Sequence, residues 1–160
     1  MNEHEDLMRR HWAAIEAGDY DLLRELLHED CELVVSGTTI RGRDNFVKVM
    51  QAQGEAFKES FSYLKYEIRD FVHSGNTVVC ENRLSGSHDR PLRTGAGDIK
   101  PTRKQVVIDG CDYVKLEDGK VRSWHAYSDG LTALTQLGLI SPKGDRRVAD
   151  MLGVEVSGEY

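Results

Sequence analysis

A β-hairpin that runs straight into an apolar helix, between Lys104 and Leu139, is the stretch that most narrows what this chain can fold into. Lys104 to Leu116 (KQVVIDGCDYVKL) is rich in β-branched and apolar residues, Asp118-Gly119 signals a two-residue type I′ turn, and Val121 to Asp129 (VRSWHAYSD) returns. An uninterrupted hairpin on that turn pairs Glu117 with Lys120, Leu116 with Val121, Val114 with Ser123, Asp112 with His125, Gly110 with Tyr127 and Ile108 with Asp129. One face then carries Asp112, His125, Tyr127 and Asp129, and the other carries Tyr113 and Trp124. Asp112 and His125 fall at a non-hydrogen-bonded position, where Cβ atoms approach to about 4.5 to 5.5 Å. Two readings of that pair stand: a carboxylate that orients a basic imidazole, or a cross-strand ion pair on the surface.

Before the hairpin the hydrophobic period changes twice. Glu3 to Ala17 has the i, i+3, i+4 apolar spacing of a helix, Gly18 is placed to end it and Asp19 to cap a second, short helix over Tyr20 to Leu27. Cys31 to Val35 and Thr38 to Arg41 read as strands about a Ser36-Gly37 break, and Asp44 to Ser60 as a third helix. Ser62 to Val72 and Thr77 to His88 alternate as an antiparallel pair turning at Ser74-Gly75-Asn76. Asp89 to Arg103 is a long connection, and Leu131 to Leu139 a short closing helix. This order implies an α+β fold: a curved antiparallel sheet against three N-terminal helices, a cone with an apolar interior and one open end. Residues 1–140 form one domain, and 141–160 are a tail expected to pack on a neighbouring subunit or to be loosely ordered.

Composition excludes several classes. Lys and Arg number 21 against 27 Asp and Glu, a net charge of −6, with no basic stripe, so nucleic acid is not the expected partner. No apolar run approaches the roughly 20 residues that span a bilayer, and the charged N-terminus is unlike a signal peptide, so the expected setting is the cytoplasm, without a membrane partner. Cys31, Cys80 and Cys111 lack ligand spacing and read as reduced, mostly buried side chains, and the scattered histidines show no metal-binding pattern. Phosphate-cradling glycine motifs are absent too, so neither a metal nor any other cofactor is expected.

Four segments carry a resemblance to a family. They are HWAAIEAGDYDLLRELLHEDCEL, IRGRDNFVKVM, the Gly86-Ser87-His88 stretch followed by KPTRKQVVIDGCDYVKLEDGKV, and WHAYSDGLTALTQLGL. In this order they resemble SnoaL-like polyketide cyclases and ester cyclases, within the NTF2-like superfamily that also holds ketosteroid isomerase and limonene epoxide hydrolase. The resemblance spans most of residues 8–140. It implies a cone-shaped barrel, usually dimeric, in which a carboxylate or histidine on the last strands performs cofactor-free acid/base chemistry on an apolar ligand. It also puts Asp129 at the acidic position that ends the last strand. The Arg-x-Asp pair of the epoxide hydrolases falls near Asn82 and Leu84, where the chain departs from it.

The resulting expectation is an enzyme acting on a small apolar carbonyl compound by enolate formation, followed by aldol cyclisation or isomerisation. Asp129 is its acid or base, with a pKa raised by apolar surroundings, His125 oriented by Asp112 is a second proton carrier, and Tyr127 a hydrogen-bond donor. Asp129 is equally suited to capping the helix that follows. Cys80, Asn82, Leu84, Gly86 and His88 share a face of their strand. Asn82 is expected in the pocket wall, His88 at its mouth or exposed at the strand end, and Trp12 of the first helix against the substrate. Trp124 and Tyr113, paired on the outer face, suggest a homodimer, and Asp89 to Arg103 reads as a lid or rim, whose Arg90, Arg93, Lys100 and Arg103 either attract a carboxylate-bearing substrate or are simply solvated. The alternative is a non-catalytic module that binds a small molecule or dimerises.

Overall fold

The computed structural model describes residues 3–94 and 97–140. Helix α1 (Glu3–Ala17) ends at Gly18, whose φ of 75° suits a residue without a side chain, and the Asp19 carboxylate accepts from the Leu22 amide at 3.0 Å to start α2 (Tyr20–Leu26). Strands β1 (Leu27–Val35) and β2 (Thr38–Arg41) precede α3 (Arg43–Ser60). Then come β3 (Phe61–Ser74), β4 (Thr77–His88), the short β5 (Leu92–Thr94) and β6 (Gly97–Ile99), β7 (Gln105–Glu117), β8 (Lys120–Ser128) and α4 (Gly130–Gln136).

Six strands form one sheet in the order β2-β1-β8-β7-β4-β3, and β5 with β6 form a separate hairpin inside the long connection. The expected architecture needs two corrections. The sheet is mixed, because β1 runs parallel to β8, the chain between them passing from edge β2 through α3 to the opposite edge β3; and it stays open, so no barrel closes. Its inner face packs on the helices: Leu7, Met8, Leu23 and Phe46 meet Leu33, Val114 and Trp124. A second cluster, Phe61, Val106, Ala133 and Leu137, lies under α4. The expectation for the 141–160 tail lies outside the described residues.

The turn of the β7–β8 hairpin is as expected, with Asp118 at φ 50° and Gly119 at φ 71°, and Glu117 faces Lys120. Beyond it the register slips. Leu116 faces Val121 but Lys115 faces Ser123, so Arg122 is an extra residue, a β-bulge. Its side chain donates to the Asp30 carbonyl on β1 and pairs with Glu117 of the hairpin at 3.1 Å. Every later partner shifts by one: Val114 faces Trp124, Tyr113 faces His125, and Asp112 faces Ala126. The Asp112–His125 pairing and the outward Trp124 are thereby overturned. The energetic reason is the indole. At about 25 cal/mol per Å2, an aromatic side chain burying 150–250 Å2 gains roughly 4 to 6 kcal/mol, against roughly 1 kcal/mol for a ladder hydrogen bond. Trp124, only 2% exposed, sits in the core.

Candidate functional site

Between α1, α3 and the inner face of the sheet lies a cavity of about 520 Å3, within the size range of small-molecule sites. Its wall is mostly apolar, with Leu33, Phe46, Leu84, Ile108 and Trp124 among the lining residues. The carboxylate in this wall that faces an otherwise apolar surrounding is Asp112, 3% exposed.

Asp112 is held on both oxygens. Asn82 Nδ2 donates to Oδ2 at 2.7 Å from β4, and Trp124 Nε1 donates to Oδ1 at 3.0 Å from β8. These donors favour the charged form, but burial outweighs them and pushes the carboxyl up to about 7. Gly110, two residues before Asp112 on β7, makes this geometry feasible: a Cβ there would stand 2.6 Å from Asn82 Oδ1.

An aromatic cage surrounds the carboxylate. The Trp12 indole stacks on Tyr66 at 3.9 Å, and the His11 imidazole stacks on Trp124 at 4.2 Å with the rings 26° apart. His11 is fully buried and both its nitrogens lack a hydrogen-bond partner; burial lowers its pKa to about 3, so the ring is neutral at any ordinary pH. Burial, and then the charge of Asp112, raise the Tyr66 phenol well above its ordinary value, which keeps it a hydrogen-bond donor. Cys80, behind the cage, is pushed by burial up to about 12 and stays a thiol.

The cavity lining brings together Trp12, Asn82, Asp112 and Tyr127 of the residues singled out in the sequence. It does not include His125, Asp129 or His88. His125 is on the outer face, its ring 6.0 Å from that of Tyr113. Asp129 is exposed and caps α4, accepting from the Thr132 amide at 2.9 Å; the Thr132 hydroxyl and then this amide lower its pKa, opposite to the expected rise. His88 is neither exposed nor at the mouth: it is fully buried, with Nδ1 accepting from the Thr102 amide at 3.3 Å, and so clasps the strand end to the chain returning from β6. Trp124, His11 and Tyr66 were not singled out as site residues. A signal for Trp124 was present: Val121, Trp124 and Ala126 are spaced three then two, as a bulge requires of residues that share a face.

The fold and site define an α+β protein with a curved sheet around a small-molecule cavity and a buried acidic residue at neutral pKa. The SnoaL-like domain family model matches residues 8–124, most of the chain, and the protein belongs to that family, with the NTF2-like fold. Among curated proteins no relative matches the sequence. IdmH from Streptomyces antibioticus, assigned as a polyketide cyclase, is similar in structure, with TM-score 0.71, 24% identity, and 86% of this chain and 99% of that chain covered. A protein from Jannaschia sp. CCS1 assigned as a SnoaL-like polyketide cyclase has TM-score 0.71 and 19% identity, covering 86% of this chain and 93% of its own. An LEH-like epoxide hydrolase from M. tuberculosis has TM-score 0.62 and 16% identity, covering 94% of this chain and 96% of its own. At these identities the likeness establishes the fold. Among the described residues no helix is long and apolar enough to cross a membrane, and no three His, Cys, Asp or Glu side chains gather as a metal site.

Proposed function

We propose that the protein is a cofactor-independent acid/base enzyme that forms an enolate from a small apolar carbonyl compound, with Asp112 as the proton carrier. The observation behind this reading is a carboxyl held by Asn82 and Trp124 in an apolar cavity with a pKa of about 7. Such a group is divided between acid and base at neutral pH, the condition under which one residue can take a proton and return it. The ionised Asp112 removes a proton from the carbon next to the substrate carbonyl, and the C–H electron pair moves onto the carbonyl oxygen. Tyr66, protonated throughout, is a donor for that oxygen. In an aldol cyclisation the enolate carbon then attacks a second carbonyl of the same molecule, and the resulting alkoxide takes the proton back from Asp112. In an isomerisation another carbon takes it instead. Either route leaves substrate and product isomeric, so no co-reactant is consumed.

Deuterium uptake tests this without knowledge of the natural substrate. The protein is incubated in D2O with a panel of bicyclic and tricyclic ketones, and exchange at the α-carbon is followed by NMR. Exchange that is lost in Asp112→Asn supports the reading. Exchange that persists in that variant assigns the chemistry elsewhere.

The protein also forms a homodimer in this proposal, through the outer face of the sheet. Val72, Val79, Tyr113, His125 and Val34 are successive cross-strand neighbours there, and Val72 is 62% exposed.

A further inference from the structure

Two cations line the mostly apolar cavity: Lys58, at the end of α3, and Arg90, just after β4. Arg90 is fixed in place: its amide donates to Ser60 O at 3.0 Å, and its Nη2 donates to Lys58 O at 2.8 Å and to Phe61 O at 2.6 Å. Lys58 Nζ lies against Gly18, where α1 ends. Carbonyls at helix ends orient cations but do not neutralise them, and among the described residues neither side chain is paired with a carboxylate. Glu16 lines the cavity too, leaving an excess of positive charge there in a chain of net charge −6. Asp89, beside Arg90, is engaged by the Ser62 hydroxyl.

Arg90 is anchored at Phe61, far along the sheet from Asp112, and Lys58 lines the same cavity. Asn82, which holds Asp112, and His88, the partner of Phe61, are six residues apart on β4, roughly 20 Å of strand. Leu64, Leu84 and Ile108 line the interval. We infer that the ligand of this cavity is an elongated organic anion: an apolar body that reaches Asp112 and a carboxylate or similar group at the opposite end, held by Arg90 and Lys58. This inference rests on the proposed use of the cavity and adds the class of its substrate. The arrangement keeps the substrate's charge away from Asp112, whose proton transfer a nearby anion would disturb. The guanidinium, with two donors already spent on carbonyls, retains others for a carboxylate.

The test compares two fluorescent probes that share an aromatic body: 1-anilinonaphthalene-8-sulfonate, which carries an anion, and N-phenyl-1-naphthylamine, which does not. Dissociation constants are measured for the full chain, Lys58→Gln, Arg90→Gln and the double variant at low and high salt, with quenching of Trp12 and Trp124 reporting entry into the cavity. The expected result is that the ratio of the two constants shifts by about tenfold against the sulfonate in the double variant, that high salt does the same to the unmodified protein, and that the neutral probe is unaffected. A ratio unchanged by both substitutions, with the neutral probe still bound, overturns the anionic end and leaves the proposed chemistry standing. Failure of the neutral probe to quench either tryptophan overturns both. Lys58→Gln leaves the backbone contacts of Arg90 intact, so it keeps the test decisive if Arg90→Gln unfolds the junction.

Discussion

Trp124 donates its indole N–H to Asp112 at 3.0 Å, although the two are not register partners: Asp112 faces Ala126, and Trp124 faces Val114. The contact is diagonal across neighbouring strands, within reach of a long aromatic side chain. It exists because the Arg122 bulge turns the indole inward, so a hairpin irregularity orients the proposed catalytic carboxyl.

Removing that donor should change the pH dependence of catalysis as well as its rate. Trp124→Phe leaves Asp112 with the Asn82 bond alone, and loss of a donor to the charged form raises the carboxyl above about 7. The basic form is then populated only at higher pH, and the midpoint of the exchange-rate profile should move up. Asp112→Asn should abolish the profile, with a loss of about 100- to 10,000-fold in rate. A Trp124→Phe midpoint that is unchanged or lower contradicts the role given to the indole.

Stability against pH should show two opposing contributions. Asp112 titrates near 7 folded and near 3.8 unfolded, so the native state holds an extra proton between these values and stability falls as pH rises through them, by about 4 kcal/mol in all. His11 titrates near 3 folded and 6.5 unfolded, so its contribution is complete above 6.5 and is lost as pH falls toward 3, by about 5 kcal/mol. The two slopes nearly cancel from about pH 4 to 6.5. Chemical denaturation of the unmodified protein should therefore show little contribution from this pair. His11→Phe should reveal stability that falls with pH, and Asp112→Asn stability that rises. The same slope in all three proteins would contradict the buried states assigned to both groups.

The elements of the fold were legible because each follows from local chemistry: Gly18 and Asp19 between two helices, Ser74 to Asn76 and Asp118-Gly119 at turns, and the alternation that puts Asn82 and Leu84 on the inner face. The site was legible only in part. Counting pairs from a correct turn assumes an unbroken ladder, and Arg122 breaks it two residues after Lys120. That single insertion moved His125 outward, brought Trp124 inward and gave Asp112 a different neighbour. Asp129 was suited by sequence to two roles, and the amide of Thr132 takes its carboxylate as a helix cap. The parallel β1–β8 pairing had no local signal, since it joins residues nearly a hundred positions apart.

Gly110 should be intolerant of a side chain in a specific way. A Cβ there meets Asn82 Oδ1 at 2.6 Å, closer than real contacts allow, and Tyr127 O at a tight 3.0 Å. Gly110→Ala must therefore displace Asn82 from Asp112 or spread β7 from β8. The former costs a buried hydrogen bond to a charged group, about 1.5 to 3 kcal/mol. The expected outcome is a destabilised protein in which Asn82→Ala adds little, because the bond it would remove is already gone. Full additivity in that double-mutant cycle would contradict the coupling.

The outer face of the sheet supplies the last prediction. Val72 on β3, Val79 on β4, Tyr113 on β7, His125 on β8 and Val34 on β1 form a row across five strands, in which Val72 is 62% and Tyr113 36% exposed, with Val79 between them. With Trp124 turned inward, Tyr113 is the aromatic residue left of the expected outer pair, so this row is less apolar than one containing an indole. A two-fold contact would set the patch against itself, burying Val72 and Tyr113 of each copy. Sedimentation velocity should show a dimer at micromolar concentration, and the double variant Val72→Lys and Tyr113→Lys, which places like charges across the two-fold axis, should sediment as a folded monomer. A native protein that is monomeric at tens of micromolar, or a double variant that stays dimeric, would show that this face does not carry the contact.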